Sequence, residues 1–531
     1  MSGFSASPSD VGVIRAAPCT SPCARSSAPW VLAATILASS MVFIDGTVVN
    51  VALPALQREL DASLVDVQWV VEAYALLLAA LLLVGGAAGD RFGRKRVFLV
   101  GVALFAVSSI GCGLAGGVRE LILARVLQGI GGALLVPGSL AIISASFAEQ
   151  DRGKAIGTWS GATAITSALG PVLGGALVDH LSWRAVFFIN LPLAIVIIPI
   201  AMRHVTESRN EETPSKLDWP GALLVTLALG GITYGLIESS NVGWENQRII
   251  ASTTLGMLAM AGFIAVEMRS EAPMMPTRLF RSSAFTGANL LTLLLYAGFG
   301  GGFFFVPLNL IQIQGYSTTA AGAALLPLIL LLAMLSRWSG GLVERYGARA
   351  PLVIGPTVAA GGFALFAVPG VGGGYWDTFF PAVLVLGLGM AISVAPLTTV
   401  VMNSAAPGFA GAASGINNAA SRVAGLLAVA LFGLIMTSTF SRSLHRELER
   451  AELMPHVIEA VEKQRNKLAA IELPAGMDAQ DAATANRAIA EAFVAGFRRV
   501  MLISAGLALA SAASALILIG DPRQLTHASQ P

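Results

Sequence analysis

The sequence predicts an all-α membrane protein of two repeated six-helix bundles, with two further helices inserted between them. Three observations carry this. The 531-residue chain is 55% hydrophobic and only 12% charged, whereas soluble domains carry about 25% charged residues. Its apolar residues gather in fourteen segments, each near the roughly 20 residues a helix needs to cross a bilayer. A glycine-rich basic motif occurs twice, at 85–96 and 340–349, each time in a short turn between two such segments. The net charge of +2 is uninformative, because the placement of the charge carries the signal.

The apolar segments run over 30–53, 67–88, 97–117, 120–143, 154–177, 184–203, 218–238 and 248–267, then 284–306, 320–339, 350–369, 378–402, 414–437 and 497–519. A single re-entrant unit is the alternative for the seventh and eighth. Aligned from Gly86 and Gly340, the two motif copies pair Asp90 with Glu344, Arg91 with Arg345, Gly93 with Gly347 and Lys95 with Arg349. Such a repeat indicates two homologous bundles. The expected organisation is a flexible tail at 1–28, a first bundle at 29–204, a linker and inserted pair at 205–270, a second bundle at 271–520 and a tail at 521–531. The first 28 residues lack the continuous apolar core of a signal peptide. Cys19 and Cys23 there lack the spacing of a metal site.

Orientation follows from loop charge. One side carries fourteen Lys or Arg residues, among them Arg91, Arg152, Arg203, Arg278 and Arg345. The other carries four, Arg58, Arg119, Arg184 and Arg248. The basic side is therefore expected to be cytoplasmic, with both termini, in a bacterial-type inner membrane. The long connection 438–496 is mixed in character, with Leu444, Leu448, Ile489, Phe493 and Phe497 at helical spacing and a break at LPAG, 473–476. It reads as a helical hairpin on the outer face or as extensions of the flanking helices. Most tryptophans, Trp69 and Trp183 included, fall at segment ends and read as an interfacial belt. Glu238 and Glu267, also at segment ends, are expected to face water.

An ionisable group inside a spanning helix costs roughly 2.5–3.5 kcal/mol and is usually paired or used. Asp45 lies about 13 Å inside the outer end of the first segment at 1.5 Å per residue. Glu72 and Arg125 lie about 8 Å inside theirs. These three, with Gln128, are the candidate proton and substrate coupling residues, and the alternative is a structural hydrogen-bonded pair. Gly161, Gly170, Pro171, Gly174 and Gly175 follow three- and four-residue offsets that permit close helix approach in lipid. In the loop motif, Gly86, Asp90, Arg91, Gly93 and Arg94 are the candidate latch residues: Gly93 suits an unusual backbone angle, and Asp90 can pair with Arg94 and cap the next helix. Asn417, Asn418 and Arg422 either line a cavity or pair helices.

GDRFGRKR at 89–96 resembles the loop signature of the major facilitator superfamily. FIDGTVVNVALP at 43–54, LILARVLQGIGGALLVP at 121–137 and GATAITSALGPVLGG at 161–175 are similar to motifs of its fourteen-helix drug:proton antiporters, often called EmrB/QacA-like. SWRAVFFINLP at 182–192 and ASGINNAASRVAG at 413–425 fit the same group. The resemblance implies the major facilitator fold and proton-coupled export of lipophilic, often cationic compounds by alternating access. It also implies that the glycine-rich fifth helix limits proton leakage; the loop motif itself reads as a latch between the two bundles or as topology fixing by positive charge. This chain departs at Glu72, where relatives carry small or neutral polar residues. It departs again at Glu344 and Ala348 in the second motif copy.

Other classes find little support. The five histidines show no metal-ligand or nucleophile spacing, and no Walker-type loop indicates ATP-driven transport. GIGGAL at 129–134 follows no strand, so it is no dinucleotide fingerprint. No enzyme activity, metal, cofactor or nucleic-acid partner is expected. The expected partners are a small-molecule drug or metabolite, protons, membrane lipids and a periplasmic adaptor at 438–496. A selective exporter of an antibiotic, siderophore or lipid, and a non-transporting receptor, remain as alternatives.

Overall fold

The computed structural model describes residues 26–209, 218–270, 275–404, 410–451, 453–474 and 476–520, without the side chains of 149, 150, 410 and 411. The expected terminal tails lie almost wholly outside these residues, as do Cys19, Cys23 and Lys216. Among the described residues all regular structure is helical. Fourteen helices of the described residues are long and apolar enough to cross a membrane.

In chain order they are α1 Ala28–Glu59, α2 Leu64–Phe92, α3 Arg94–Leu114, α4 Val118–Ser146, α5 Glu149–His180 and α6 Ala185–His204. Next come α7 Trp219–Val242 and α8 Gln247–Arg269. The series closes with α9 Ser283–Ile313, α10 Thr318–Gly340, α11 Arg349–Phe366, α12 Tyr375–Asn403, α13 Ala410–Arg450 and α14 Ala479–Leu518. Sequence sets their starts. Ser63 and Asp66 form a reciprocal capping box on α2. Asp218, Ser282, Ser317 and Asp478 cap α7, α9, α10 and α14 with side-chain oxygens. Each cap satisfies a backbone N–H that the first turn leaves unpaired. The 218–270 region forms two separate helices rather than a re-entrant unit.

In the first bundle α2 and α3 pack on α4, and α5 and α6 pack on α1. In the second, α11 packs on α12 and α14, and α9 on α13 and α14. The bundles meet along two seams, α5 with α10 and α2 with α13. The inserted α7 lies on both α2 and α13 and so covers the second seam, while α8 packs on α7. Trp69 Nε1 ties α2 to α7 by donating to Glu238 Oε1 at 2.9 Å. Glu238 is thus partnered while remaining only half-buried. Glu267 is also buried, 2% exposed, and accepts the Met275 N–H at 2.9 Å. Trp183 is 1% exposed and donates to Glu59 Oε2 at 2.7 Å, so it belongs to the packed interior and not to an interfacial belt.

With even numbers of crossings, Ala28 and Leu518 share one end with the basic motif loops, called here the basic end. At the opposite end the bundles are joined. Asp179 on α5 accepts from Thr318 N at 3.1 Å, Thr319 N at 2.8 Å and Thr319 Oγ1 at 2.6 Å at the start of α10. Gln312 donates to Gln57 Oε1 at 2.9 Å, and Gln68 on α2 donates to the Val429 carbonyl on α13 at 2.8 Å. The long connection extends both flanking helices and adds a small cap, a helix at Pro455–Lys463 and a turn at Arg465–Ala470. Its stripe of Leu444, Leu448, Ile489, Phe493 and Phe497 is buried as its spacing predicts. Lys467 on the cap pairs with Asp61 of the first bundle.

Candidate functional site

Polar side chains from five helices converge inside the first bundle. Asp45 on α1 forms an ion pair with Arg125 on α4, and neither is more than 1% exposed. Asp45 Oδ1 also accepts from Gln128 Nε2 at 2.8 Å and from Asn190 Nδ2 on α6 at 3.4 Å. Ser109 on α3 accepts from Gln128 at 2.9 Å and from Asn190 at 3.2 Å. Arg125 donates from Nη1 to Gln128 Oε1 at 2.7 Å and from Nε to the Val70 carbonyl on α2 at 2.9 Å. Its guanidinium carbon stands 4.2 Å above the Tyr74 ring. Such stacking adds to the Coulomb attraction. Burial of a carboxylate is tolerated when opposite charge and hydrogen bonds surround it. Both conditions hold at Asp45.

The sequence-predicted residues divide here. Asp45, Arg125 and Gln128 meet, as their depths and helices indicate. Glu72 does not join them. It is 1% exposed, and its Oε2 is buried without a hydrogen-bond partner. The reason is helical phase. Val65 and Leu76 on α2 pack with Ile237 and Leu229 of α7 and with Ala430 and Leu426 of α13. Glu72 falls between those two layers, on the face toward the inserted helix, while Val70 and Tyr74 face Arg125. Sequence reasoning missed Ser109, Cys112, Tyr74 and Asn190. Cys112 Sγ lies 3.6 Å from Gln128 Oε1. Asn190, a lone amide inside an apolar segment, was the readable signal among them.

The loop motif is only partly as predicted. Asp90 pairs with Arg94 at 2.8 Å. It does not cap α3; Glu207 does, accepting the Lys95 N–H at 3.0 Å. Gly93 has φ 109° and its counterpart Gly347 φ 78°, so the repeat extends to backbone conformation. A side chain at Gly93 would also meet the Glu207 carboxylate at 2.7 Å. The described partners of this loop, Glu207, Ser208 and Met202, follow or end α6, so in this conformation the loop is fastened to the end of α6 and the start of the linker after it. Arg91 is exposed and lies over the Phe92 ring. The glycine in tight contact is Gly85, where a side chain would overlap the Ala133 carbonyl; at Gly86 it would stand 3.6 Å from Pro137.

On α5, side chains at Gly170 and Gly174 would overlap Thr47 and Val48 of α1. One at Gly175 would meet the Thr318 carbonyl of α10 at 2.5 Å, and the Pro171 carbonyl bars a side chain at Gly322. The motif thus joins α1 and the second bundle. Gly161 has open space around it and takes no part in this approach. Asn417 on α13 donates to Thr292 Oγ1 on α9 at 2.6 Å, which is helix pairing within the second bundle. Asn418 is exposed and accepts from Arg422 Nε at 3.3 Å. Arg422 lies within electrostatic range of Tyr74, across the α2–α13 seam.

The profile of the Major Facilitator Superfamily matches residues 35–429. The chain belongs to that family. It is 35% identical over 492 residues to the tetracenomycin C resistance and export protein of Streptomyces glaucescens, covering 92% of this chain and 91% of that one. It is 35% identical over 412 residues to a puromycin resistance protein of Streptomyces alboniger, covering 77% and 82%. Among solved structures, a bacterial homologue of the human lysosomal transporter Spinster aligns with TM-score 0.64 at 18% identity, covering 93% of this chain and 97% of that one. This last likeness concerns the fold alone.

Proposed function

We infer that this member of the major facilitator superfamily is a drug efflux transporter, and we propose that it works by proton antiport. Resistance and export relatives of similar length support the first part. The buried Asp45–Arg125 pair carries the second. Ionised, Asp45 neutralises Arg125 and fixes Gln128 and Asn190. A proton on Asp45 removes that charge and leaves Arg125 as an uncompensated buried cation, an arrangement several kcal/mol less stable. The pair must then loosen or rehydrate. Because Arg125 also holds the Val70 carbonyl and the Tyr74 ring on α2, loosening acts on the helix that packs against α13. Glu72, beside the inserted helix, is proposed as a second protonatable group with its own environment.

The joined opposite end supports a cytoplasm-open state, with the basic end cytoplasmic and the termini there. Arg94 Nη1 is buried without a partner, which leaves a donor for the latch to use when the basic ends close. We retain the boundaries 29–204, 205–270 and 271–520 for the two bundles and the insert. Drug or metabolite, protons and membrane lipid are the partners of this reading, and the connection 438–496 with its cap is the face offered to a periplasmic adaptor. The deciding experiment places the protein in proteoliposomes containing a pH dye. Addition of an exported compound should move protons in wild type, and the Asp45→Asn variant should show none while remaining folded. Full proton-driven efflux by that variant removes Asp45 from the mechanism. A second reading, export of one endogenous antibiotic, is favoured by relatives named for single compounds. Efflux of cationic dyes from a pump-deficient host separates the two.

A further inference from the structure

Where α13 and α14 rise beyond the apolar core at the opposite end, they enclose a groove of about 770 Å³ with the cap. Four arginines line it: Arg442 and Arg446 on α13, Arg465 on the cap and Arg499 on α14. All four are exposed. Among the described residues no carboxylate forms an ion pair with any of them. Arg442 and Arg446 donate from Nε to carbonyls of their own helix, at 3.0 and 3.2 Å, which leaves their terminal nitrogens unused. The one carboxylate in the lining, Glu462, is engaged by His445 Nδ1 at 2.7 Å. Thr439 also faces the groove, and its buried Oγ1 has no partner. Four guanidinium groups without a carboxylate partner in one lining give the groove a positive potential that attracts an anion.

Depth narrows the anion. Arg499 lies about 29 Å along α14 from Leu518 at 1.5 Å per residue. The hydrocarbon core is roughly 30 Å thick. Arg499, which lines the groove from α14, therefore stands at the headgroup level of the leaflet farther from the basic end. Guanidinium forks match the oxygens of phosphate, and basic pockets beside spanning helices hold anionic headgroups. We propose that this groove binds a phosphate group, supplied by the headgroup of an anionic phospholipid. Bound there, the headgroup ties α13, the cap and α14 together, and through Lys467 and Asp61 it reinforces the joined opposite end.

The test uses the full chain in detergent, titrated with phosphatidylglycerol, phosphatidylcholine or inorganic phosphate. Bound molecules are counted by native mass spectrometry. Phosphatidylglycerol should bind tighter than phosphatidylcholine, and Arg442→Gln with Arg499→Gln should weaken it about tenfold or more, since hydrogen bonds to charged groups carry that much. Inorganic phosphate that protects wild type and not the double variant also supports the site and identifies a soluble source. Equal phosphatidylglycerol binding by wild type and the double variant overturns the proposal. So does an equal loss from Arg119→Gln, an exposed cation at the same end of the first bundle, because surface charge alone would then account for binding.

Discussion

At the residue scale the chemistry rests on how one carboxylate is held. Asp45 has protein donors on both oxygens, so its removal exposes Arg125 rather than freeing it. Asp45→Asn is expected to lower folding stability by roughly 3–5 kcal/mol, as for any buried pair that loses one partner. Adding Arg125→Gln should recover much of that loss without restoring proton-driven efflux. Thermal unfolding in detergent, read beside vesicle efflux, separates the two effects; recovery of efflux in the double variant would make the pair structural only. Glu72 behaves differently because Oε2 has no partner to lose. Glu72→Gln should leave the unfolding temperature unchanged or higher and lower the number of protons moved per drug. An unchanged ratio would remove Glu72 from coupling. From the sequence, membrane depth placed Asp45, Arg125 and Gln128 together correctly. Depth could not distinguish the face of α2 that carries Glu72, because that depends on where α7 docks.

At the element scale, small residues decide which helices approach. Lipid offers little hydrophobic drive between helices, so close packing substitutes for it. Gly85→Ala should destabilise by about 1–3 kcal/mol through overpacking against Ala133. Gly86→Ala has room, and should be neutral or stabilising by up to about 1 kcal/mol because alanine suits a helix better. Thermal unfolding of the two variants is the comparison, and equal losses would contradict the geometry. On α5 the same contrast holds between Gly161→Ala, expected to be silent, and Gly175→Val, which should separate α5 from α10 at the opposite end. Thiol labelling of an Ala321→Cys reporter, buried in the joined state, measures it; unchanged labelling in Gly175→Val would mean the seam does not depend on that approach. The spacing of these glycines was readable in the sequence. Which of them had a neighbour was not, since Gly161 shares the pattern and lacks the partner.

At the scale of the whole molecule, the two bundles are fastened at one end by side chains far apart in sequence. Asp179 holds the start of α10, Gln68 reaches α13, and Lys467 reaches Asp61. Asp179→Ala removes three hydrogen bonds across the seam and should shift the population toward an open opposite end. Distance measurements between spin labels on the two bundles would show it, and an unaltered distribution would assign closure to the remaining contacts. The inserted α7 covers the other seam, so it must move with α2, with α13, or between them whenever the bundles rock.

The sequence by itself determined the number of crossings, the basic side and the depth at which ionisable groups are buried, while its motifs carried the repeat and the family resemblance. Each of these follows from local quantities: hydropathy over about 20 residues, charge in short loops, and the expense of an ion in lipid. Tertiary structure decided which face of each helix met which neighbour. That placed Glu72 beside α7, fastened the loop motif to Glu207, turned the long connection into helix extensions with a cap, and gathered four arginines into one groove. Rotation about a helix axis is set by packing against partners distant in the chain, and hydropathy along a single segment carries no record of it.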